Sequence, residues 1–139
     1  MNGINWGRVV TGGLLAGLIM NFGEAISGAV FGSQMEAILD AHGLTFAMTP
    51  GWMVLYLVLG FVFGIVAIWV YASIRPRYGA GAKTAIIAAV MTWILGYLFP
   101  MFGYLAIGLT TISLVMVSAV WGLAEIVIGT LAGAWLYRE

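Results

Sequence analysis

The chain reads as an all-α protein, a polytopic membrane four-helix bundle with a short interfacial helix after the first span. Three observations lead there. First, 63% of its 139 residues are hydrophobic and 7% are charged, with a mean hydropathy of +1.10, whereas soluble domains carry about 25% charged residues. Second, about 20 apolar residues are needed per bilayer crossing, and four such runs follow one another, at about 9–31, 51–74, 84–108 and 112–137. Third, each run carries small residues at helical spacing, the pattern that lets membrane helices pack closely. The spans use up nearly the whole chain, so 1–139 is expected to be a single transmembrane domain with no room for a soluble catalytic unit.

The first run follows Arg8. Ser27-Gly28-Ala29 offers small residues where a signal peptidase could cut, but the apolar stretch is too long for a signal-peptide core, only Arg8 precedes it, and the chain begins at Met1. The run is therefore expected to be retained as a span. Ser33-Gln34-Met35-Glu36 then fits the capping-box pattern, in which Ser and Glu satisfy each other's orphan backbone donors. A short helix is predicted from it, with Met35, Ile38 and Leu39 against Glu36 and Asp40, closed by Gly43 and lying on the membrane face.

Thr49-Pro50 opens the second span, since proline suits the first helical turn. That span is expected to stop at Arg75, because Pro76 disfavours helical geometry in the residue before it. Arg77-Tyr78-Gly79-Ala80-Gly81 forms the turn to the third span. Pro100 removes a hydrogen bond and frees the Gly96 carbonyl, which predicts a kink in the last part of the third span. A tight turn over Leu109–Thr111 makes spans three and four a helical hairpin.

At 100° per residue, Gly13, Gly17, Asn21, Glu24 and Gly28 share a face of the first helix, and Ser118, Gly122, Glu125, Gly129, Ala132 and Gly133 share one on the fourth. The third helix offers Ala85, Ala89, Thr92, Gly96 and Gly103, and the second Gly60, Gly64 and Ala67. Gly13/Gly17, Gly60/Gly64 and Gly129/Gly133 are GxxxG pairs. Because Glu24 and Glu125 lie on packing stripes, neither is expected to point at lipid.

Depth follows from a rise of 1.5 Å per residue. Glu24 lies ~22 Å and Asn21 ~18 Å from Val9, Glu125 ~18 Å from Tyr137, and Tyr97 ~20 Å from Thr84. These four groups are the candidate ligand- or proton-binding layer. Carboxyls inside a membrane are costly and usually mark a proton, ion or ligand site. Two further readings compete: protonated acids acting as interhelical glue with Asn21 or Tyr97, and an uncharged ligand such as a quinone or lipid held against Trp93, Tyr97, Tyr104 and Trp121.

Elsewhere the sequence excludes more than it offers. There is no cysteine for disulfides, thiolate chemistry or Fe–S ligation. His42 with Glu36 and Asp40 does not follow metal-ligand spacing, the lone histidine lies outside the spans and so cannot ligate haem there, and no phosphate loop, nucleophile–base pair or metalloprotease motif occurs. No cofactor, metal or catalytic residue is assigned, and an enzyme would have to work with the intramembrane acids alone. A net charge of zero makes nucleic acid an implausible partner.

Basic residues near span ends are retained on the cytoplasmic side. Arg8, Arg75, Arg77, Lys83 and Arg138 all fall on one side, opposite Glu36, Asp40 and His42, so both termini are expected to be cytoplasmic. The three central basic residues are topology determinants first and anionic-lipid contacts second. Trp6, Trp52, Trp69, Tyr71, Tyr78, Trp135 and Tyr137 read as interfacial anchors.

Asn5-Trp6-Gly7-Arg8 leading into Gly12-Gly13 and Asn21-Phe22-Gly23-Glu24, then Arg75-Pro76-Arg77-Tyr78-Gly79 with Lys83-Thr84, and Leu131-Ala132-Gly133-Ala134-Trp135-Leu136-Tyr137 resemble an uncharacterised family of short bacterial four-span integral membrane proteins. The resemblance covers nearly the whole chain. It implies a bacterial inner-membrane address and supplies no substrate, cofactor or catalytic residue.

The residues thus point to a non-enzymatic membrane protein, self-associating, whose buried carboxylates form a proton- or cation-responsive transport or binding site. The alternative is an accessory subunit of a larger membrane complex that uses the acids only for assembly. Beyond membrane lipid, the expected partner is a second copy or that larger complex.

Overall fold

Four helices long and apolar enough to cross a membrane make up the computed structural model, which describes residues 3–45 and 48–137. Helix α1 runs Trp6–Ala41 and α2 runs Pro50–Tyr78. The third span is Ala82–Ala106, made of α3 (Ala82–Trp93), a π turn (Ile94–Leu98) and α4 (Phe99–Ala106). Helix α5, Ile112–Leu136, closes the chain. The all-α four-helix bundle expected from the sequence is the fold observed, and the chain is a multi-pass membrane protein.

Each start is set by a local cap. Asn5 accepts from Arg8 N, Thr49 from Trp52 N with Pro50 following, and Thr111 from Leu114 N, so side-chain oxygens satisfy orphan N–H groups. Gly43 (φ +68°) ends α1, Gly79 (φ +84°) ends α2, and Gly108 (φ +79°) makes the turn into the last span. These are left-handed positions that favour glycine.

Three expectations are corrected. Ser33 opens no new helix, and there is no separate interfacial helix after the first span: residues 32–41 continue α1 without a break. Nothing between Phe31 and Gln34 prevents helix propagation, and a capping-box pattern has no effect where the preceding turn is already helical. The second span does not stop at Arg75 either. Pro76 lies inside the last turn of α2, where it deletes one hydrogen bond, and the helix closes through Gly79 N–H to Arg75 O. The predicted disturbance at Pro100 is present, but as a π turn immediately before the proline, with Phe99 N–H bonding back to Ile94 O.

Helix α1 packs between α2 and α5, and α3 packs between α5 and α2 on the other side. The ring order is therefore α1, α2, α3, α5. Backbones meet directly on the small stripes: a Cβ added to Gly12 would lie 2.6 Å from Gly133 O, one at Gly133 would lie 2.5 Å from Gly12 O, and one at Gly17 would lie 2.6 Å from Phe61 Cα. Gly64 packs on the backbone of Gly13 and Gly17. Membrane helices gain their packing energy from such close approach.

The end of the bundle bearing Arg8, Arg75, Arg77 and Lys83 is here called the basic end, and that bearing Glu36, Asp40 and His42 the acidic end. At the basic end the Tyr137 hydroxyl accepts from Asn5 N at 3.2 Å and the Tyr71 hydroxyl from Gly81 N at 3.2 Å. The two tyrosine rings meet edge to face, 5.9 Å between centroids, and the Arg75 guanidinium lies 5.5 Å from the centre of the Tyr137 ring. Tyr71 and Tyr137 are thus core residues, 2% exposed, rather than the interfacial anchors expected. Trp6, Trp52, Trp69, Tyr78 and Trp135 are exposed, as anchors require. Arg138 lies outside the described residues.

Candidate functional site, an intramembrane carboxyl pair

Glu125 sits on the inward stripe of α5 and is 7% exposed. It fits there because α1 presents Gly23: a Cβ at that position would fall on Glu125 Oε2 and lie 3.0 Å from Glu125 Cβ. The next residue of α1, Glu24, brings its carboxyl within hydrogen-bonding reach of the Glu125 carboxyl. Tyr97 comes in from the π turn, and its hydroxyl faces Glu24. The Tyr97 ring rests on Gly122, where an added Cβ would lie 2.5 Å from ring carbons. One glycine therefore admits the acid and another admits the phenol.

Trp121 completes the wall. Its indole N–H donates to Gly23 O at 3.1 Å, stands within hydrogen-bonding reach of the Glu125 carboxyl, and its ring meets Phe31 edge to face at 6.4 Å. Trp93 is anchored separately, donating to Ala119 O at 3.0 Å.

Of the four residues expected to share a layer, Glu24, Glu125 and Tyr97 come together. Asn21 does not join them. It turns toward α2, donating to Leu57 O at 3.1 Å and packing on Gly60. The reason is that α1 has two neighbours: Gly13, Gly17 and Asn21 meet α2, whereas Gly12, Ala16 and Gly23 meet α5. The expectation that both acids avoid the surface is met by Glu125 alone, since Glu24 is exposed. Sequence reasoning missed Gly23 as the seat of the acid, although its place beside Glu24 was a usable signal. It also missed the π turn that aims Tyr97.

Chemically, Glu125 Oε2 is buried and receives no hydrogen bond from a donor. Two ionised carboxyls have only acceptors to offer each other, so a hydrogen bond between them requires a proton on one. A pair in this position can hold a proton or coordinate a small cation. The polar groups at the acidic end do not extend the site: Glu36 and Asp40 are exposed, and His42 Nδ1 contacts Ile38 O at 2.7 Å.

Fold and site together define a class, a four-span membrane protein with one carboxyl buried in the bundle and a second, exposed one beside it. Comparison with family models, with curated proteins and with solved structures finds no match to this chain. The site's own geometry therefore carries the functional reading.

Proposed function

We propose that the Glu24–Glu125 pair is a titrating site that takes up and releases a proton or a small cation within the membrane, and that the protein is a small, self-associating, non-enzymatic membrane protein of the bacterial inner membrane with its basic end in the cytoplasm. The observation that carries this is the Glu125 carboxyl, buried against Gly23 with an oxygen lacking a donor and a second carboxyl beside it. A structural hydrogen bond needs one acid and a neutral partner; a second acid supplies a place for charge to change. The basic residues at one end support the orientation, and the resemblance noted above supports the address.

The test compares wild type with Glu125→Gln in reconstituted vesicles, following proton and cation flux or binding across about pH 5 to 8. Glutamine keeps shape and hydrogen bonding but cannot titrate. The expected result is normal assembly with the pH dependence abolished. Identical behaviour of the two proteins throughout that range removes this reading.

A second reading is favoured by the exposure of Glu24. A polar group at membrane depth is poorly tolerated against lipid, so another chain covering Glu24 would make the protein an accessory subunit with the acids as interhelical glue. Mass measurement in nanodiscs separates the two: a stable homo-oligomer supports the first, and a lone monomer that requires a partner supports the second.

A further inference from the structure

Between α2 and the third span the surface of the bundle carries a groove of about 230 Å³. Val66, Met91 and Leu95 are its exposed rims, and Phe63 and Val70, half-buried, line it with the buried Thr92. Gly96 of the π turn adds bare backbone, on which the Phe63 ring rests, since a Cβ at that position would fall on the ring. The lining runs ~10 Å along the axis of α2, from Phe63 to Val70. Sites for drug-sized molecules measure about 300–1,000 Å³, so the groove is too small for one. The only polar side chain in it, Thr92, already donates to Ala88 O at 2.8 Å. The matching occupant is a hydrocarbon chain.

A charge stands on the same helix face. At 100° per residue, Phe63, Val66, Val70 and Arg77 lie within about 60° of one another on α2. Arg77 is exposed, whereas Arg75 is half-buried with its guanidinium 5.5 Å from the centre of the Tyr137 ring. Measured along the helix from Arg77, the groove begins at ~10 Å and ends at ~21 Å. The headgroup layer is ~5–8 Å thick and each leaflet's hydrocarbon ~15 Å, so a lipid chain ends ~20–23 Å from the headgroup surface. The groove ends at that depth.

We propose that the groove binds one anionic phospholipid of the leaflet at the basic end, an acyl chain lying between α2 and the third span and the phosphate meeting Arg77. The site does not depend on how the carboxyl pair titrates. Arginine suits a phosphate because its planar guanidinium can donate two parallel hydrogen bonds to it. Among the described residues the basic end carries no acidic side chain to compete for that contact. Residues 51–59 of α2 are exposed as well, but they lie at the other end of the helix, away from the charge.

Native mass spectrometry of the full chain, reconstituted in equal parts of phosphatidylglycerol and phosphatidylethanolamine, counts the lipids it retains. Wild type is expected to keep one phosphatidylglycerol. Arg77→Gln should retain it about fivefold less, the share of one basic residue near an anionic surface. Val66→Trp, which fills the groove from its exposed rim, should lose it, with circular dichroism confirming that both variants are folded. Equal retention of the two lipids by wild type, or retention unchanged in Arg77→Gln, overturns the proposal.

The unsubstituted chain gives an independent measure. Phosphatidylglycerol carrying a diazirine near the end of one acyl chain is photolysed in nanodiscs with the protein, and mass spectrometry maps the adducts. They are expected to concentrate on residues 63–70 and 91–96, with few on residues 51–59. Adducts spread evenly over these faces mean that the groove meets only bulk lipid, and a groove left unlabelled means that a second copy of the chain fills it. Either result overturns the proposal.

Discussion

At the scale of single residues, Gly23 is the position on which the site turns. Gly23→Ala would drive a methyl group into the Glu125 carboxyl, and overpacking of this kind costs about 1–3 kcal/mol. The expected outcome is a lower unfolding temperature in detergent together with loss of pH-dependent flux. Gly28 is the control on the same helix. A Cβ there meets nothing within 4 Å, so Gly28→Ala should leave flux unchanged and stabilise by up to about 1 kcal/mol through helix propensity. Equal effects of the two substitutions would show that Gly23 has no special relation to the acid. Tyr97→Phe keeps the ring on Gly122 and removes the hydroxyl facing Glu24; assembly should persist while the pH profile of flux moves.

At the scale of elements, the π turn and the length of α1 decide the layout. Pro100 has no N–H to continue the regular ladder, and the extra residue of the π turn sets the angle at which Tyr97 leaves the helix. Pro100→Ala restores the donor and permits an ordinary α-helix through Ile94–Leu98. Thermal stability should hold or rise while Tyr97 swings off Gly122 and flux falls, which activity and melting measurements on one preparation resolve. Ser33→Ala tests the continuity of α1. Loss of a genuine N-cap costs about 1 kcal/mol, whereas Ser33 in a helix interior should be replaceable by alanine without loss of melting temperature.

How much of this was legible in the sequence depended on whether a pattern names a partner. Apolar runs carry their own length, so the spans were legible to within a few residues apart from the end of the first. A fixed rise per residue made the common depth of Glu24, Glu125 and Tyr97 legible as well. What a stripe cannot say is which neighbour it meets. Asn21 and Glu24 share a face within about 80°, yet a helix set between two others divides such a face, and Asn21 went to α2. The Ser33 pattern failed for a related reason: a cap sequence is a permissive signal that acts only if the chain before it is not helical.

At the scale of the molecule, glycines where two backbones meet and glycines that face open space should respond differently to the same insult. Gly64→Leu would place a side chain on the Gly13 and Gly17 backbone, where no flexible group can yield, and the folded bundle should be lost in a detergent melting assay. Gly103→Leu, with nothing within 4 Å of the added Cβ, should melt like wild type.

Helix α1 is ~54 Å long against a hydrocarbon core of ~30 Å, and its tightest backbone contact with α5, the helix that carries Glu125, is Gly12 on Gly133. Taken as a fulcrum, that contact lies ~18 Å from Glu24 and ~44 Å from Ala41 along the helix axis. A sideways displacement of the projecting tip thus reaches Glu24 reduced to roughly two-fifths, so ~5 Å at the tip is ~2 Å at the carboxyl, several times the roughly 0.5 Å that separates a sound hydrogen bond from none. Leverage on the far end of this helix and the spacing of the two acids are one mechanical variable.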